Sequence, residues 1–293
     1  MSRRLALLVN PTAAGGRALK VARRASAELS RLGAAHRTVE TLSVEHAAEQ
    51  ARDAASQGET PTTVGGDGLI RPVAAAVRGS GSALAIVPAG RGNDFARVLG
   101  IPSDLEGAVR TALEGREREV DVAEVNGTPF IGIASLGFDS EANEIANRAR
   151  LLKGNLVYLY AALRALARWK PATLTAVVDG EAHTVTGYTV AVGNSKAYGG
   201  GMYLFPHAEL DDGKLEVMLC ADHSKLSALG DLARLFKGTH LQADWFQFFQ
   251  GSVVEVRSDR PFTIFADGDA LAVTPATMRV DQRCLRVVVP AGA

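Results

Sequence analysis

Cysteine is scarce in this chain: 293 residues carry two, Cys220 and Cys284. Both stand in apolar stretches, LEVMLCA and CLRVVV, which read as buried thiols rather than a disulfide framework and fit a reducing compartment. Net charge is also lacking, with 32 basic against 32 acidic side chains. Whole-molecule attraction to nucleic acid or an anionic surface therefore has no support, and no nucleic-acid partner is expected. The six histidines are scattered without an HExxH or CxxC pattern, so a zinc site is not expected. No segment approaches the ~20 uninterrupted apolar residues of a membrane span. The N-terminal MSRRLALLVN has too short an apolar run for a signal peptide and reads as a first strand. These absences predict a soluble, cytoplasmic protein, with peripheral attachment at the inner membrane face left open.

What is present is ordinary globular material, 47% hydrophobic and 22% charged, in a length beyond the usual single domain. Residues 5–9 (LALLV) form the short apolar run of a buried parallel strand. Leu19, Ala22, Ala25, Leu29 and Leu32 then recur at helical spacing up to Gly33. A strand over 35–41, a helix over 44–57 with Ser43 as its N-cap, and a strand over 61–64 follow. A helix from about Leu69 is predicted to hold Pro72 in its first turn. A strand over 83–87 precedes a helix over 104–114, opened by the capping-box spacing of Ser103 and Glu106.

This alternation predicts an N-terminal Rossmann-like α/β domain with a parallel sheet, spanning 1–121. Beyond it the strand-like runs follow one another directly, at 119–125, 128–135, 173–179, 183–193, 214–220, 251–257, 261–266, 277–280 and 284–289. Asn126-Gly127 and Asp179-Gly180 are hairpin signals. Long helices are expected around 142–169, interrupted near Gly154, and at 224–237. The second region, 122–293, is expected to be a mainly antiparallel β-sandwich with helices, with a return of its last strand to the first domain left open.

Three loops follow parallel strands and so should share one edge of the sheet, where ligands of open α/β folds bind. The first is Asn10-Pro11-Thr12-Ala13-Ala14-Gly15-Gly16, the second Gly65-Gly66-Asp67-Gly68, and the third runs from Pro88 through Arg91-Gly92-Asn93-Asp94 to Arg97. Adjacent glycines let a backbone approach phosphate, and a following helix start offers amide donors. Aspartate within such a loop repels phosphate unless a cation or a transferred proton stands between them. One such turn is as often structural as functional; three together point to phosphate handling.

On these motifs the sequence resembles the diacylglycerol kinase catalytic-domain family, the soluble bacterial lipid kinases related to sphingosine kinases. GGDG alone is shared with NAD kinases and phosphofructokinases. NPTAAGG and GRGNDFAR are similar to the family's nucleotide loops, and VDVAEVNG (120–127), SLGFDSEAN (135–143), NSKAYGGGMYLFPHAELDDGKLEV (194–217) and ADGD (266–269) to its later blocks, in order. The resemblance implies ATP and Mg²⁺ as cofactors. Asn10, Pro11, Thr12, Ala13, Ala14, Thr41, Gly65, Gly66, Asp67, Gly68, Arg91, Gly92 and Asn93 would hold the nucleotide, with Asp67 acting through Mg²⁺. Asp269 would take the proton from a lipid hydroxyl, assisted by Asp94, in a cleft between the two domains. A structural Mg²⁺ would use Asp212 with the carbonyls of Glu209 and Lys214.

Five positions depart from the family pattern. Leu69 stands where threonine is usual, Arg71-Pro72 replaces a polar-acidic pair, Arg91 replaces a second threonine, and Asp269 is one methylene shorter than the usual glutamate. Arg91 offers a guanidinium that could bind phosphate in place of the lost hydroxyls. The implied partner is a lipid substrate at a membrane surface, diacylglycerol first, with sphingoid bases and phosphatidylglycerol open; a homodimer is also left open. A kinase of a soluble acceptor such as NAD leaves YGGGM and DDGKL without a purpose. A nucleotide- or lipid-binding protein with degraded catalysis leaves Asp67, Asp94 and Asp269 without one. Arg148–Lys170, basic and aromatic, is read as a packed helix before a membrane-docking one, and Trp245–Phe249 as core or interface before a lipid pocket. Gly199-Gly200-Gly201 is read as a sharp turn near the cleft.

Overall fold

The computed structural model describes residues 3–148 and 155–292. Strand β1 (Leu5–Val9) is buried along its whole length, as an apolar run with no alternation requires. Helix α1 (Arg17–Arg31) covers it with Ala18, Ala22, Ala25 and Leu29; Leu32, expected on that stripe, is instead the C-cap and stays 41% exposed. Strand β2 (His36–Glu40) and helix α2 (Val44–Ser56) follow, and the Ser43 hydroxyl accepts the His46 N–H as expected of an N-cap. Strand β3 (Thr60–Gly65) runs directly into helix α3 (Asp67–Val77). That start is two residues earlier than predicted, because Gly66 already has the extended backbone of an N-cap, and so Pro72 lies inside the helix rather than in its first turn. Strand β4 (Ala83–Pro88), the short helix α4 (Asp94–Val98) and helix α5 (Leu105–Glu114) complete the region. The N-cap of α5 is Asp104 rather than Ser103: its carboxylate accepts the Gly107 N–H at 2.7 Å, and the helix starts one residue later.

The parallel strands lie in the order β4-β3-β1-β2. Val9 is level with Val64, and Gly65 with Pro88, so the loops after β1, β3 and β4 leave one edge side by side.

The rest is mainly antiparallel: β5 (Arg116–Val125), β6 (Thr128–Phe130), β7 (Ile133–Gly137), β8 (Ala172–Val178), β9 (Glu181–Gly193), β10 (Leu215–Ala221), β11 (Phe246–Gly251), β12 (Val253–Ser258), β13 (Thr263–Ala266), β14 (Asp269–Val273) and β15 (Ala276–Val289). Helices α6 (Phe138–Arg148) and α7 (Asn155–Arg168) stand between β7 and β8, and α8 (Lys225–Lys237) between β10 and β11. The helical stretch therefore begins at Phe138, ahead of the predicted 142; the expected break at Gly154 lies outside the described residues. Both hairpin signals hold, with Asn126 and Asp179 in the left-handed region and Gly127 and Gly180 after them.

The two runs expected at 277–280 and 284–289 are one strand. β15 stays paired with β5 on both sides of an irregularity at Asp281 to Leu285, where Arg283 takes φ 48°. Its first part also pairs with β12, and near its end Arg286 and Val287 lie parallel to Ala83 and Leu84 of β4. Two strands were not anticipated, the aromatic β11, paired with β10, and β14, which makes a hairpin with β13. Trp245, Phe246, Phe248 and Phe249 pack partly buried against the second of two apolar cores, while Leu285, Val287, Val288 and Val289 of β15 belong to the first.

Candidate active site

The loops after β3 and β4 touch through their glycines. A Cβ on Gly90 would stand 2.5 Å from the Gly66 Cα and 2.8 Å from Asn93 Oδ1, so any side chain would part the loops. Asn93, left-handed at φ 53°, locks the third loop by accepting the Gly90 N–H at 2.8 Å. That contact delivers Asp67, in the first turn of α3, to the start of α4, where Oδ2 accepts the Asp94 N–H and Oδ1 the Phe95 N–H, each at 3.1 Å. Burial raises the Asp67 carboxyl above its ordinary value, the two N–H donors oppose the rise, and the Asp94 charge adds to it.

Asp94 is buried, with one partner on each oxygen. Its Oδ1 meets Arg97 Nη1 at 2.5 Å, and its Oδ2 accepts the Gly200 N–H at 2.8 Å. Gly199, Gly200 and Gly201 are all left-handed, the sharp turn that was expected. The turn brings the second region against the first, and a Cβ on Gly201 would meet the Arg97 guanidinium. Gly92 is equally hemmed in, since its Cβ would meet both Asp94 Oδ2 and Asp67 Oδ2.

The β13–β14 hairpin faces this pair. Its turn residue Asp267, at φ 52°, accepts the Ile131 N–H at 2.8 Å and the Gly132 N–H at 2.9 Å. Burial pushes Asp267 up to about 7; its two N–H donors and Arg71 work against that, and the Asp67 charge works with it. Two residues on, Asp269 extends its half-exposed carboxylate to Arg71 Nη2 of α3, 2.6 Å away. Arg71, one of the departures from the family pattern, thus binds another of them. Arg91 is exposed, and it is Arg97 that holds Asp94 and reaches the Gly92 carbonyl. Leu69 folds back beside Gly65.

The first loop opens with Asn10 Oδ1 accepting the N–H and hydroxyl of Thr12, at 3.0 and 2.9 Å. Ala14, Gly15 and Gly16 are consecutively left-handed and lead into α1, whose first amide, the Arg17 N–H, is bonded to the Ala13 carbonyl. Pro11 and Ala13 lie in this turn, and Thr41, buried at the end of β2, donates its N–H to the Val9 carbonyl at 2.8 Å. The residues expected to hold a structural metal lie elsewhere. Asp212 Oδ1 accepts the Lys214 N–H at 3.0 Å, and Glu209 stands 3.8 Å from Lys196. Buried Asp121 beneath that turn accepts the N–H groups of Gly213 and Arg283, both at 2.7 Å.

Among the described residues no three His, Cys, Asp or Glu side chains converge as a metal cage. The Asp67–Asp94 pair nevertheless suits Mg²⁺, which binds through one or two carboxylates and completes its shell with water and phosphate oxygens. Each Asp67 oxygen accepts one N–H and retains capacity for a second partner.

Sequence reasoning missed two participants and a third residue, a buried carboxylate against Tyr198. Asp267 and Gly200 show in sequence only as turn residues. The third, Asp139 at the start of α6, is pushed up to about 6 by burial, against the Tyr198 hydroxyl that donates to it at 3.2 Å.

Residues 4–125 match the model of the diacylglycerol kinase catalytic domain, and residues 132–289 that of the YegS C-terminal NAD kinase beta sandwich-like domain. A protein named diacylglycerol kinase from Mycobacterium tuberculosis (strain ATCC 25618 / H37Rv) is 31% identical over 97% of this chain and 94% of its own. A Probable lipid kinase YegS-like protein of Pseudomonas aeruginosa (strain UCBPP-PA14) is 34% identical over 78% of this chain and 76% of its own. A crystal structure of a diacylglycerol kinase from Bacillus anthracis str. Sterne superposes with a TM-score of 0.76, covering 99% of this chain and 98% of that one, at 20% identity; it supports the fold. No helix among the described residues is long and apolar enough to cross a membrane.

Proposed function

Because the chain belongs to the diacylglycerol kinase catalytic-domain family and is a lipid kinase, we propose that it transfers the γ-phosphoryl group of ATP to the free hydroxyl of diacylglycerol. The observation that carries this reading is the contact of Gly66 with Gly90, which sets Asp67 and Asp94 together opposite the Asp267–Asp269 hairpin. Phosphoryl transfer depends mainly on positioning and on charge neutralisation, with one base oriented on the acceptor. The first loop (Asn10 to Ala14), Thr41, Gly65 to Gly68 and Arg91 to Asn93 line the sheet edge where the nucleotide would lie. Asp67, with Asp94 beside it, would hold Mg²⁺, which supplies neutralisation of the phosphate charge.

Asp269 is the proposed base. It is the exposed carboxylate of the hairpin, and Arg71 fixes its direction. Asp267, tied to two backbone N–H groups, instead holds the hairpin against Ile131 and Gly132. A second Mg²⁺ at Glu209, Asp212 and Lys214 remains part of this reading, supported by the turn that buried Asp121 organises.

The test is transfer of labelled phosphate from ATP to a panel of lipids, with Mg²⁺ supplied. Diacylglycerol should be phosphorylated, and Asp269→Asn should lower transfer by about a thousandfold while leaving ATP binding unchanged. Full activity in that variant removes Asp269 from the mechanism; no transfer to any lipid removes the reading itself.

A further inference from the structure

Helix α8 is held to the molecule from one side. Its one acidic residue, Asp231, is turned inward and buried, accepting His223 Nε2 at 2.8 Å and Trp245 Nε1 at 3.0 Å on Oδ2, with Arg234 at 3.2 Å on Oδ1. Ala228 and Leu235 pack on the second core from the same face. On the opposite face, at i, i+3 and i+10, stand Leu226, Leu229 and Phe236, 80%, 38% and 53% exposed. Lone exposed apolar side chains need no explanation, but three along one helix face do. Lys225, whose Nζ donates to the Ala167 carbonyl at 3.1 Å, and Lys237, both exposed, mark the two ends of this stripe.

The helix is also joined to the catalytic wall. The Leu235 carbonyl accepts the Tyr203 N–H at 3.0 Å, and the capping Gly238 lies against Pro206. Tyr203 is three residues from Gly200, whose N–H is bonded to Asp94. A surface in contact with α8 therefore lies alongside the segment that closes the site. An apolar helix face edged with cations and free of acidic groups complements an anionic bilayer, with the side chains entering the headgroup–acyl boundary and the ammonium groups among the headgroups.

We propose that the Leu226–Leu229–Phe236 face of α8, with Lys225 and Lys237, seats this kinase on an anionic phospholipid bilayer. The proposal rests on the lipid-kinase reading, since such an acceptor resides in a membrane. The full chain is sedimented with vesicles of equal parts phosphatidylglycerol and phosphatidylcholine, and with phosphatidylcholine alone, without ATP or acceptor. Wild type should bind the mixed vesicles and lose most binding on the neutral ones. Leu226→Ser combined with Phe236→Ser should bind the mixed vesicles at least about tenfold more weakly, with an unchanged melting curve. Its transfer to a water-soluble short-chain diacylglycerol should match wild type. This last arm reads the kinase reaction and the sedimentation arms read the surface, so failure of either is seen separately. Equal vesicle affinity of the double variant overturns the proposal, as does absence of binding by wild type. A wild-type dimer that the double variant breaks, with vesicle binding intact, assigns the face to a second copy of this chain and overturns it too.

Discussion

A single methyl group at position 90 offers the sharpest perturbation of the site. In Gly90→Ala the new Cβ stands 2.5 Å from the Gly66 Cα and 3.0 Å from the Gly66 amide nitrogen. Carbon atoms in contact prefer about 3.5–4.0 Å, so the loops must part by roughly 1 Å. Both obstacles are backbone atoms, and a third, Asn93 Oδ1 at 2.8 Å, is held in place by the Gly90 N–H it accepts. Forcing such an overlap costs about 1–3 kcal/mol. For a chain of this length that is a fall of several degrees in melting temperature, on the order of 2–4 °C per kcal/mol. The larger effect falls on chemistry. Asp67 follows Gly66 directly and holds Asp94 and Phe95 by their N–H groups, so displacement of one loop misplaces both carboxylates. A misplacement of about 1 Å is worth on the order of a hundredfold in rate. Gly90→Ala should therefore lower kcat/KM for ATP-dependent transfer to diacylglycerol about a hundredfold. Gly68→Ala is the control, because its Cβ meets nothing within 4 Å. Alanine in the first turns of α3 should leave the stability equal or slightly higher, by about 1 kcal/mol at most. Activity of Gly90→Ala within about threefold of wild type would refute the argument. Equal losses in both variants would move the cause from loop contact to crowding of the nucleotide.

Two further changes probe the hairpin. Burial pushes Asp267 up to about 7, above an unfolded value near 4, so the folded state binds that proton more tightly. Its contribution to stability is complete below about pH 4 and is lost as the pH rises through about 7. Asp267→Asn, neutral and tolerant of positive φ, should remove most of that loss, worth on the order of 3 kcal/mol; parallel melting-temperature profiles between about pH 4.5 and 7.5 would count against it. The Arg71–Asp269 pair is half open to water, so its worth is limited to about 0.2–1 kcal/mol. Arg71→Met should cut transfer by roughly two- to fivefold without changing ATP affinity measured by calorimetry, and a hundredfold loss would mean that Arg71 touches the transferring phosphoryl group.

Local signals carried the first half of the fold. The LALLV run, the Ser43 cap and the strand–glycine–helix junctions each act within a few residues, and each was legible. The Asn126-Gly127 and Asp179-Gly180 turns were legible for the same reason, since few residues other than Asn, Asp and Gly enter the left-handed region cheaply. What escaped was set by distant partners. Asp281, Gln282 and Arg283 look like a loop between two strands, and only β5, some 160 residues upstream, keeps β15 paired on both sides of them. The aromatic run at 246–251 has no clean alternation, and it becomes a strand because β10 offers an edge. Pairing energy of this kind leaves little trace in local composition.

The same division runs through the site. Its glycines could be read because close backbone approach admits no other residue, and Gly66 and Gly90 meet that requirement against each other. The carboxylates could be read as present, but not as partnered. Asp267 looks like any hairpin turn residue; its raised proton affinity comes from burial and the Asp67 charge, against the N–H groups of residues 131 and 132 that hold it in place. Arg71 and Asp269 are the clearest case. In sequence they are two unconnected departures from the family pattern, 198 residues apart. In the fold they are two ends of one ion pair at 2.6 Å. An aspartate at 269 reaches one methylene less far than a glutamate, and a guanidinium on the facing helix is long enough to meet it and hold its direction. The short carboxylate of the proposed base and the cation opposite it thus act in this chain as one unit, and neither can be understood from its own sequence neighbourhood.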